Sequence, residues 1–352
     1  MNQISFYPGP SRVYSYITEF IYEAYKDGIL SVNHRSVEFM TLMERTKKYV
    51  KQSLKIPKDY EILFVSSATE CWEIIAQSLT QSGSQHFYNG AFGEKWAYYA
   101  ELAGKKISRH PFDINSSLPV SDLDTQAEWL CLTQNETSNG SMIPMDHLKE
   151  LNNAKEEGQL IAVDATSSMA GIYLDFALAD IWFASVQKCF GLPSGMGILI
   201  CSPATLKKAQ DINEQKHYNS FLRILENHQK NQTHHTPNIL DIYLLYRTSK
   251  ISKGIEHIQE KVLQRYQNWT SIVDQFDTFD WLVKNEEVRS RTVMTLQCEN
   301  PKLIKEKARE NSITLGNGYG DWKENTIRIA NFPAIKGKEI DKLVKFLKKT
   351  FD

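Results

Sequence analysis

Long apolar runs and an excess of charge of either sign are both missing from this 352-residue sequence. No apolar stretch approaches the roughly 20 residues that a membrane-spanning helix needs, so we expect no membrane protein. The 41 basic residues are balanced by 42 acidic ones, which argues against the broad positive surface of a nucleic-acid-binding protein. The first residues, MNQISFYPGPSRVYSYI, lack a charged segment followed by an apolar one, so we expect no signal peptide.

Cysteine is scarce, and its spacing argues against two kinds of site. The five cysteines are odd in number, and none forms a C-x-x-C pair or another spacing typical of a metal site. The adjacent histidines His234 and His235 have no third ligand nearby and favour a loop over a metal centre. We therefore expect no bound metal, and we expect reduced thiols, as in a cytoplasmic protein.

Short apolar runs alternate with amphipathic stretches through the first half of the chain. Six runs predict strands and three stretches predict helices, the strands at 60–65, 84–90, 127–134, 159–165, 180–187 and 196–202, and the helices at 69–79, 94–104 and 145–158. This alternation is typical of an α/β domain with a largely parallel sheet that is buried on both faces. A tight connection between the last two strands predicts that they form an antiparallel pair.

The pattern changes near residue 248. Beyond it, a long helical stretch at 254–276 leads into strand-like and helical segments in turn, which is typical of a small α+β domain. A chain of this length also exceeds the size at which one hydrophobic core usually stops growing. We therefore predict a large domain at 13–247 and a small domain formed by 1–12 together with 248–352.

Chemically useful residues follow the predicted strands of the large domain, where open α/β sheets bind their ligands. They are the small residues Ser66–Thr69 at the start of a helix, Phe92, the segment Gln134–Thr137, Asp164, and the pair Gln187–Lys188. Each has an ordinary explanation of its own, as a helix N-cap, a core aromatic, a turn cap or an exposed strand-end lysine. The separate explanations do not account for their joint order.

Together these residues match the needs of pyridoxal 5'-phosphate (PLP). The helix start offers backbone N–H groups to a phosphate, and Phe92 offers a flat partner to a pyridine ring. Asp164 can keep the ring nitrogen protonated, and Lys188 can form a Schiff base with the aldehyde. The sequence therefore predicts a site for PLP as cofactor.

Eight motifs, in order along almost the whole chain, resemble those of the class V, fold-type I PLP-dependent aminotransferases. They are FYPGPS (6–11), NHRSVEF (33–39), FVSSATE (64–70), QNETSNG (134–140), AVDATSS (162–168), SVQKCFGLPSG (185–195), HTPN (235–238) and IRIANF (327–332). The resemblance implies a fold-type I α/β fold, with a mostly parallel seven-stranded sheet in the large domain and a small α+β C-terminal domain. It also implies PLP-dependent transamination between small amino acids and 2-oxo acids.

The resemblance implies a role for each matching residue around the cofactor ring. Lys188 forms the Schiff base and later shuttles the proton of the substrate α-carbon. Asp164 pairs with the ring nitrogen, and Phe92 replaces the tryptophan that usually stacks on the ring. Thr137 contacts the cofactor near its phenolic oxygen.

The same resemblance implies a phosphate site shared between two subunits. Ala68, Thr69 and Gln187 surround the phosphate. His235 and Thr236 match positions from which the neighbouring subunit reaches that phosphate. An obligate homodimer with shared active sites is therefore implied.

Three further residues match positions that bind substrate. Arg328 matches the arginine that binds the substrate α-carboxylate, for which a planar bidentate group is well suited. His34 and Arg35 match a pair that receives the distal anionic group of the substrate. Taken singly, Arg328 could also be an exposed strand residue, and His34 and Arg35 could be charged surface residues.

Within the family, the chain is most similar to the phosphoserine aminotransferases, which implies transfer of an amino group from glutamate to 3-phosphohydroxypyruvate in serine biosynthesis. The sequence departs from the pattern of these enzymes at two places. A second hypothesis therefore stays open, that the protein is a class V aminotransferase that acts on small 2-oxo acids such as glyoxylate or pyruvate. Glu70 stands where an arginine commonly helps to bind the distal anion, and no His-Arg pair precedes Arg328. A cysteine desulfurase-like enzyme, with Cys298 as its late candidate cysteine, and a non-catalytic protein of the same fold are weaker alternatives.

Overall fold

The computed structural model describes residues 3–351, so residues 1, 2 and 352 of the predicted small domain lie outside the described part. Its strands are β1 (Ile4–Phe6), β2 (Glu61–Val65), β3 (Gly83–Tyr88), β4 (Lys106–Pro111), β5 (Trp129–Thr133), β6 (Asn135–Glu136), β7 (Ser141–Met142), β8 (Leu160–Asp164), β9 (Ile181–Ser185), β10 (Gly197–Cys201), β11 (Asp280–Trp281), β12 (Val293–Gln297), β13 (Ile313–Asn317) and β14 (Thr326–Ala330). Its helices are α1 (Ile17–Lys26), α2 (Val37–Leu54), α3 (Ala68–Leu79), α4 (Ala91–Leu102), α5 (Met145–Ala154), α6 (Pro203–Ile212), α7 (Phe221–Gln229), α8 (Ile239–Ile251), α9 (Ile255–Val273), α10 (Pro301–Glu310) and α11 (Gly337–Phe351).

The larger sheet contains seven strands in the order β2-β10-β9-β8-β5-β3-β4. β10 is antiparallel to both of its neighbours, and every other neighbouring pair is parallel. The mostly parallel seven-stranded sheet is therefore confirmed, as is the antiparallel pair formed by the last two predicted strands.

Both faces of the larger sheet are buried. In β2, Ile62 and Phe64 pack into one hydrophobic core, and Leu63 and Val65 pack into a second core. Because side chains alternate across a strand, these two cores lie on opposite faces of the sheet. A strand covered on both faces must be apolar throughout, and this explains the nearly continuous apolar runs in the sequence.

A smaller sheet of five strands has the order β1-β13-β14-β12-β11. Its edge strand β1 comes from the start of the chain and pairs in parallel with β13, with Ile4 opposite Ile313. The other strands come from the last quarter of the chain as two pairs, β11–β12 and β13–β14, followed by α10 and α11 respectively, as expected for a small α+β unit. The predicted boundary between residues 247 and 248 falls inside α8, which is continuous from Ile239 to Ile251.

Several elements are not predicted by the sequence patterns, among them α1, α2, β4 and the helices α6 to α8. The longest of them, α2, is an ordinary amphipathic helix. It begins after Ser36, whose side chain accepts a hydrogen bond from the amide of Phe39, and one face buries Met43, Val50 and Leu54. No helix within residues 3–351 is both long and apolar enough to cross a membrane.

The directions of the strands bring several loops to one edge of the larger sheet. β2, β9, β8, β5 and β3 all run the same way, because β10 is antiparallel to both β2 and β9. Their carboxyl ends therefore share an edge, and α3 and α4 start there. This is the edge at which open α/β sheets bind ligands.

Candidate active site

A cavity lies at this edge of the larger sheet. It is lined by Ala68, Thr69, Trp72, Phe92, Thr133, Asn135, Thr137, Asp164, Thr166, Ser185, Gln187 and Lys188. Seven of these residues are the ones that the sequence predicts around the cofactor: Ala68, Thr69, Phe92, Thr137, Asp164, Gln187 and Lys188. The fold therefore brings the separate strand-end residues into one place.

Lys188 is buried in the cavity, with 8% of the residue exposed. Its Nζ donates a hydrogen bond of 2.7 Å to Oγ1 of Thr137. Burial lowers the pKa of Lys188 to about 8, although the carboxylates of Asp164 and Glu136 oppose this change. The neutral amine, which is the nucleophilic form, is therefore accessible close to neutral pH.

The start of the chain crosses over Lys188. The amide of Ser11 donates a hydrogen bond of 3.0 Å to the carbonyl of Gln187. Gly9, at a φ of +143°, lies against the lysine, and a Cβ at this position would come within 2.9 Å of Lys188 Cε. Only a glycine adopts this conformation without strain and lets the backbone pack directly on the lysine side chain.

Asp164 ends β8 and is buried beside Lys188. Its Oδ1 accepts a hydrogen bond of 2.9 Å from the amide of Thr166. Burial raises the pKa of Asp164, while the contacts with Thr166 and the charge of Lys188 oppose the rise. A carboxylate buried in this way is stabilised by a cationic partner, and a protonated ring nitrogen can be one.

The ring of Phe92 forms a wall of the cavity. Nζ of Lys188 lies 5.2 Å from the centroid of this ring. Tyr319, which follows β13, stacks on Phe92 with the ring centroids 5.2 Å apart and an interplanar angle of 22°. The hydroxyl of Tyr319 accepts a hydrogen bond of 2.6 Å from Nζ of Lys95. An aromatic contact thus joins the two sheets next to the lysine.

Arg328 reaches the same place from β14 of the smaller sheet. It is only 4% exposed, so it is not an exposed strand residue. Its Nη1 donates a hydrogen bond of 2.7 Å to the carbonyl of Thr137, and its Nε donates one of 2.6 Å to the carbonyl of Asn317. Thr137 therefore contacts Lys188 through its hydroxyl and Arg328 through its carbonyl. A guanidinium has five N–H donors, so some remain for a substrate carboxylate.

The family model described as "Aminotransferase class-V" matches residues 8–318. The chain belongs to the class V aminotransferases. It is a PLP-dependent aminotransferase, which confirms the family membership expected from the eight ordered motifs. Its fold-type I architecture is confirmed as well.

Two relatives and one further structure show how broad this similarity is. A phosphoserine aminotransferase from Corynebacterium glutamicum is 25% identical over 350 residues, which cover 95% of this chain and 91% of the relative. The crystal structure of a phosphoserine aminotransferase from Cytophaga hutchinsonii is 31% identical, covers all of both chains and has a TM-score of 0.96. An alanine-glyoxylate aminotransferase from Nostoc sp. shares the fold, with a TM-score of 0.84 at 18% identity and coverage of 99% of this chain and 95% of that one.

Membership of the class V aminotransferases implies PLP, and the residues of the cavity fit that group. A buried lysine amine, a buried carboxylate and an aromatic ring surround one space. The first turn of α3 opens into the same space through Ala68 and Thr69, and a helix start stabilises an anion. The hydroxyl of Thr133 in the cavity wall is buried without a hydrogen-bond partner among the described residues. Each part of the cofactor therefore has a chemically matching group.

Five of the predicted site residues do not line this cavity: Arg328, which contacts it through Thr137, and four residues that lie elsewhere in the single chain. Arg35 is exposed and donates hydrogen bonds to Oδ1 of Asn227 at 3.0 Å and Oε1 of Gln232 at 2.6 Å. His235 lines a separate small cavity beside Ser66. His34 and Thr236, which adjoin these two residues, are likewise absent from the lining of the lysine cavity.

Glu70 turns away from the lysine cavity. Its Oε2 accepts hydrogen bonds from the amide of Ser66 at 2.8 Å and from the hydroxyl of Ser66 at 2.7 Å. The hydroxyl of Ser67 accepts one of 3.1 Å from the amide of Glu70. This reciprocal arrangement resembles a capping box, which stabilises the start of a helix. The carboxylate at this position therefore caps α3 and does not line the cavity.

Three residues that shape the site have no role assigned from the sequence, although one of them, Glu136, lies within the predicted segment Gln134–Thr137. Ser185 accepts a hydrogen bond of 2.9 Å from the amide of Ala68, Tyr319 stacks on Phe92, and Glu136 binds the start of α4. The position of Glu136 directly before Thr137 is a signal that could have drawn attention to it. Tyr319 has no such signal, because it lies in a loop of the other sheet.

Proposed function

We propose that this class V aminotransferase is a phosphoserine aminotransferase, which transfers an amino group from glutamate to 3-phosphohydroxypyruvate and yields 2-oxoglutarate and phosphoserine in serine biosynthesis. The meeting of Lys188 and Arg328 at Thr137 carries the catalytic part of this proposal, because it places an amine next to a carboxylate-binding guanidinium. The names of the relatives support the choice of substrates.

The proposal assigns PLP to the cavity described above. When bound, PLP supplies an aldehyde that condenses with amines and a ring that withdraws electrons from the substrate α-carbon. Asp164 holds the proton on the ring nitrogen, and Phe92 covers one face of the ring. Ala68, Thr69 and Gln187 bind the phosphate at the start of α3.

Lys188 and Arg328 act on the substrate. Arg328 binds the α-carboxylate and so orients the α-carbon toward Lys188. Nζ of Lys188 then takes the α-proton of the amino donor as a general base. In the second half-reaction it returns a proton to the α-carbon of the new amino acid. The lowered pKa of Lys188, about 8, suits this role because the amine can exchange a proton near neutral pH.

We extend the proposal to a cytoplasmic homodimer in which each subunit completes the site of the other. His235 and Thr236 of one subunit contact the phosphate in the other, and His34 and Arg35 receive the distal anionic group of the substrate. The position of Arg35 at the surface supports this assignment, because an exposed guanidinium can reach a neighbouring chain. We also retain the division into a large domain at 13–247 and a small domain at 1–12 and 248–352, supported by the two separate sheets.

A second candidate is a class V aminotransferase that uses glyoxylate or pyruvate as the amino acceptor. It is favoured at two positions, because Glu70 stands where an arginine is common and caps α3, and no His-Arg pair precedes Arg328. A cysteine desulfurase is disfavoured by the cysteines. Cys189 donates a hydrogen bond of 3.2 Å to the carbonyl of Ser167, and burial raises the pKa of Cys298 to about 11.

The test is a comparison of amino acceptors with glutamate as the donor. The purified enzyme is supplied with 3-phosphohydroxypyruvate, glyoxylate or pyruvate, and 2-oxoglutarate formation is measured for each. We expect the highest kcat/KM with 3-phosphohydroxypyruvate, and a large loss of that activity in Arg35→Ala but not in the control Arg45→Ala, another exposed arginine. A wide preference for glyoxylate or pyruvate would support the second candidate. A wild type that gains no visible absorbance with PLP would contradict both candidates.

A further inference from the structure

Glu136 is a second buried carboxylate close to Lys188, at 1% exposure. Its Oε1 accepts hydrogen bonds from the amide of Ser138 at 2.9 Å and from the hydroxyl of Ser138 at 2.6 Å. Its Oε2 accepts hydrogen bonds from the amides of Phe92 and Gly93, both at 3.2 Å. Each carboxylate oxygen therefore has two donors. Burial raises the pKa of Glu136, and the hydrogen bonds from Ser138 and Gly93 oppose this rise and favour the ionised form.

These contacts join two parts of the site that are far apart in sequence. Ser138 lies in the turn between β6 and β7, whereas Phe92 and Gly93 lie in the first turn of α4. A negative charge is favoured at the start of a helix, so the carboxylate also complements the dipole of α4. The fit is close, because a Cβ on Gly90 would collide with Cγ of Glu136.

Thr137, the residue after Glu136, connects the hydrogen bonds of the Glu136 carboxylate to Lys188 and Arg328. Thr137 accepts the hydrogen bond from Lys188 through its hydroxyl and the one from Arg328 through its carbonyl. Fixing the backbone of Glu136 and Ser138 therefore fixes Thr137 from both sides. The same carboxylate holds the backbone of Phe92, whose ring lines the cavity.

We propose that Glu136 is a positioning residue of the active site, which sets Phe92, Lys188 and Arg328 relative to one another. Burial and the charge of Arg328 lower the pKa of Lys188, whereas the negative charges of Asp164 and Glu136 raise it. This inference rests on the proposed transamination at Lys188. Its alternative is that Glu136 is only a structural anchor of the loop, with no influence on the chemistry.

Glu128 provides a matched control for a purely structural anchor. Its carboxylate also binds two amides and one hydroxyl, those of Gln81 and Ser82, and it adds an ion pair of 2.6 Å with Lys208. It precedes β5 and lies at the amino ends of the strands, the edge of the sheet opposite Lys188. The two carboxylates thus make similar contacts at the two ends of the same sheet.

The experiment compares wild-type, E136Q and E128Q holoenzymes. A glutamine keeps one acceptor oxygen but presents an NH₂ group to one pair of donors, so either Ser138 or the start of α4 loses its partner. We expect the visible absorbance of the lysine-bound cofactor in E136Q to change at a lower pH than in the wild type, because the negative charge that favours a protonated nitrogen is removed. We also expect kcat/KM to fall on the order of 100-fold, since small displacements of reacting groups have effects of this size.

E128Q is expected to lower only the stability to urea and to leave the pH of the absorbance change at the wild-type value. An E136Q enzyme that matches E128Q in the pH of the absorbance change, in kcat/KM and in stability to urea would overturn the proposal.

If E136Q does not fold, E136D tests the proposal in its place, because aspartate keeps the negative charge but is one methylene shorter. E136D should then show the wild-type pH of the absorbance change with a reduced kcat/KM, and an unchanged kcat/KM would overturn the proposal. A visible absorbance that persists in Lys188→Ala would instead contradict the proposed function itself.

Discussion

The hydroxyl of Thr137 accepts a hydrogen bond of 2.7 Å from Nζ of Lys188, and it donates one of 2.9 Å to the hydroxyl of Ser167. The lysine amine therefore has a fixed direction within the cavity. Because the two residues are buried, no water competes strongly for this contact, and its loss should be costly.

Thr137→Val should lower kcat/KM about 10- to 100-fold, since hydrogen bonds to charged groups contribute about 1.5–3 kcal/mol. The carbonyl that binds Arg328 remains in this variant, so kcat should fall more than KM rises. Steady-state kinetics with glutamate measure both. Thr137→Ser keeps the hydroxyl and should stay close to the wild type, and an equal loss in both variants would show that the methyl group matters instead.

The rate at which the cofactor-free enzyme recaptures PLP should depend on pH through Lys188. Only the neutral amine attacks the aldehyde, and burial lowers the pKa of Lys188 to about 8, so the rate should rise with pH and reach half of its maximum near pH 8. The rate is followed by absorbance after rapid mixing. In Asp164→Asn the midpoint should move to lower pH, because Asp164 raises this pKa. A midpoint near the ordinary lysine value of about 10.4 would contradict a desolvated amine.

Gly9→Ala should weaken the binding of PLP by about tenfold or more. The added Cβ would lie 2.9 Å from Lys188 Cε, and overpacking of this kind costs about 1–3 kcal/mol. Gly104→Ala is the control, because Gly104 also has a positive φ, +79°, but no atom lies within 4 Å of its added Cβ. Both variants place an alanine at a positive φ. Equal PLP dissociation constants in the two variants would show that the contact with Lys188 does not cause the weaker binding.

Glu70→Ala should lower the free energy of unfolding by about 1 kcal/mol, the usual effect of losing a helix cap. Urea denaturation measures this, with Glu73→Ala as the control, an exposed position one turn further along α3 that should change stability by less than about 0.5 kcal/mol. The affinity for PLP should stay at its wild-type value, because Glu70 binds Ser66 and does not line the cavity. A tighter binding of PLP in Glu70→Ala would show that the carboxylate faces the phosphate.

The sequence by itself determined six of the seven strands of the larger sheet, all except β4, and the residues that follow them. Strands buried on both faces need continuous apolar runs, and these runs are visible without any structure. Because parallel strands end at a common edge, the residues after them could be placed together, as Asp164 and Lys188 were. The amphipathic helices α1 and α2 gave weaker signals, since their polar faces interrupt the apolar pattern.

Only the tertiary structure decided how distant parts of the chain meet. Arg328 and Thr137 are 191 residues apart, and their contact depends on how the smaller sheet packs against the larger one. The direction of the Glu70 carboxylate depends on a side-chain rotamer and a local donor, Ser66, which no apolar pattern records. The role of Glu136 likewise emerges only when α4 and the β6–β7 turn are brought together. Periodicity reports which face of an element is buried, whereas the partners of a polar side chain are set by the packing of the whole chain.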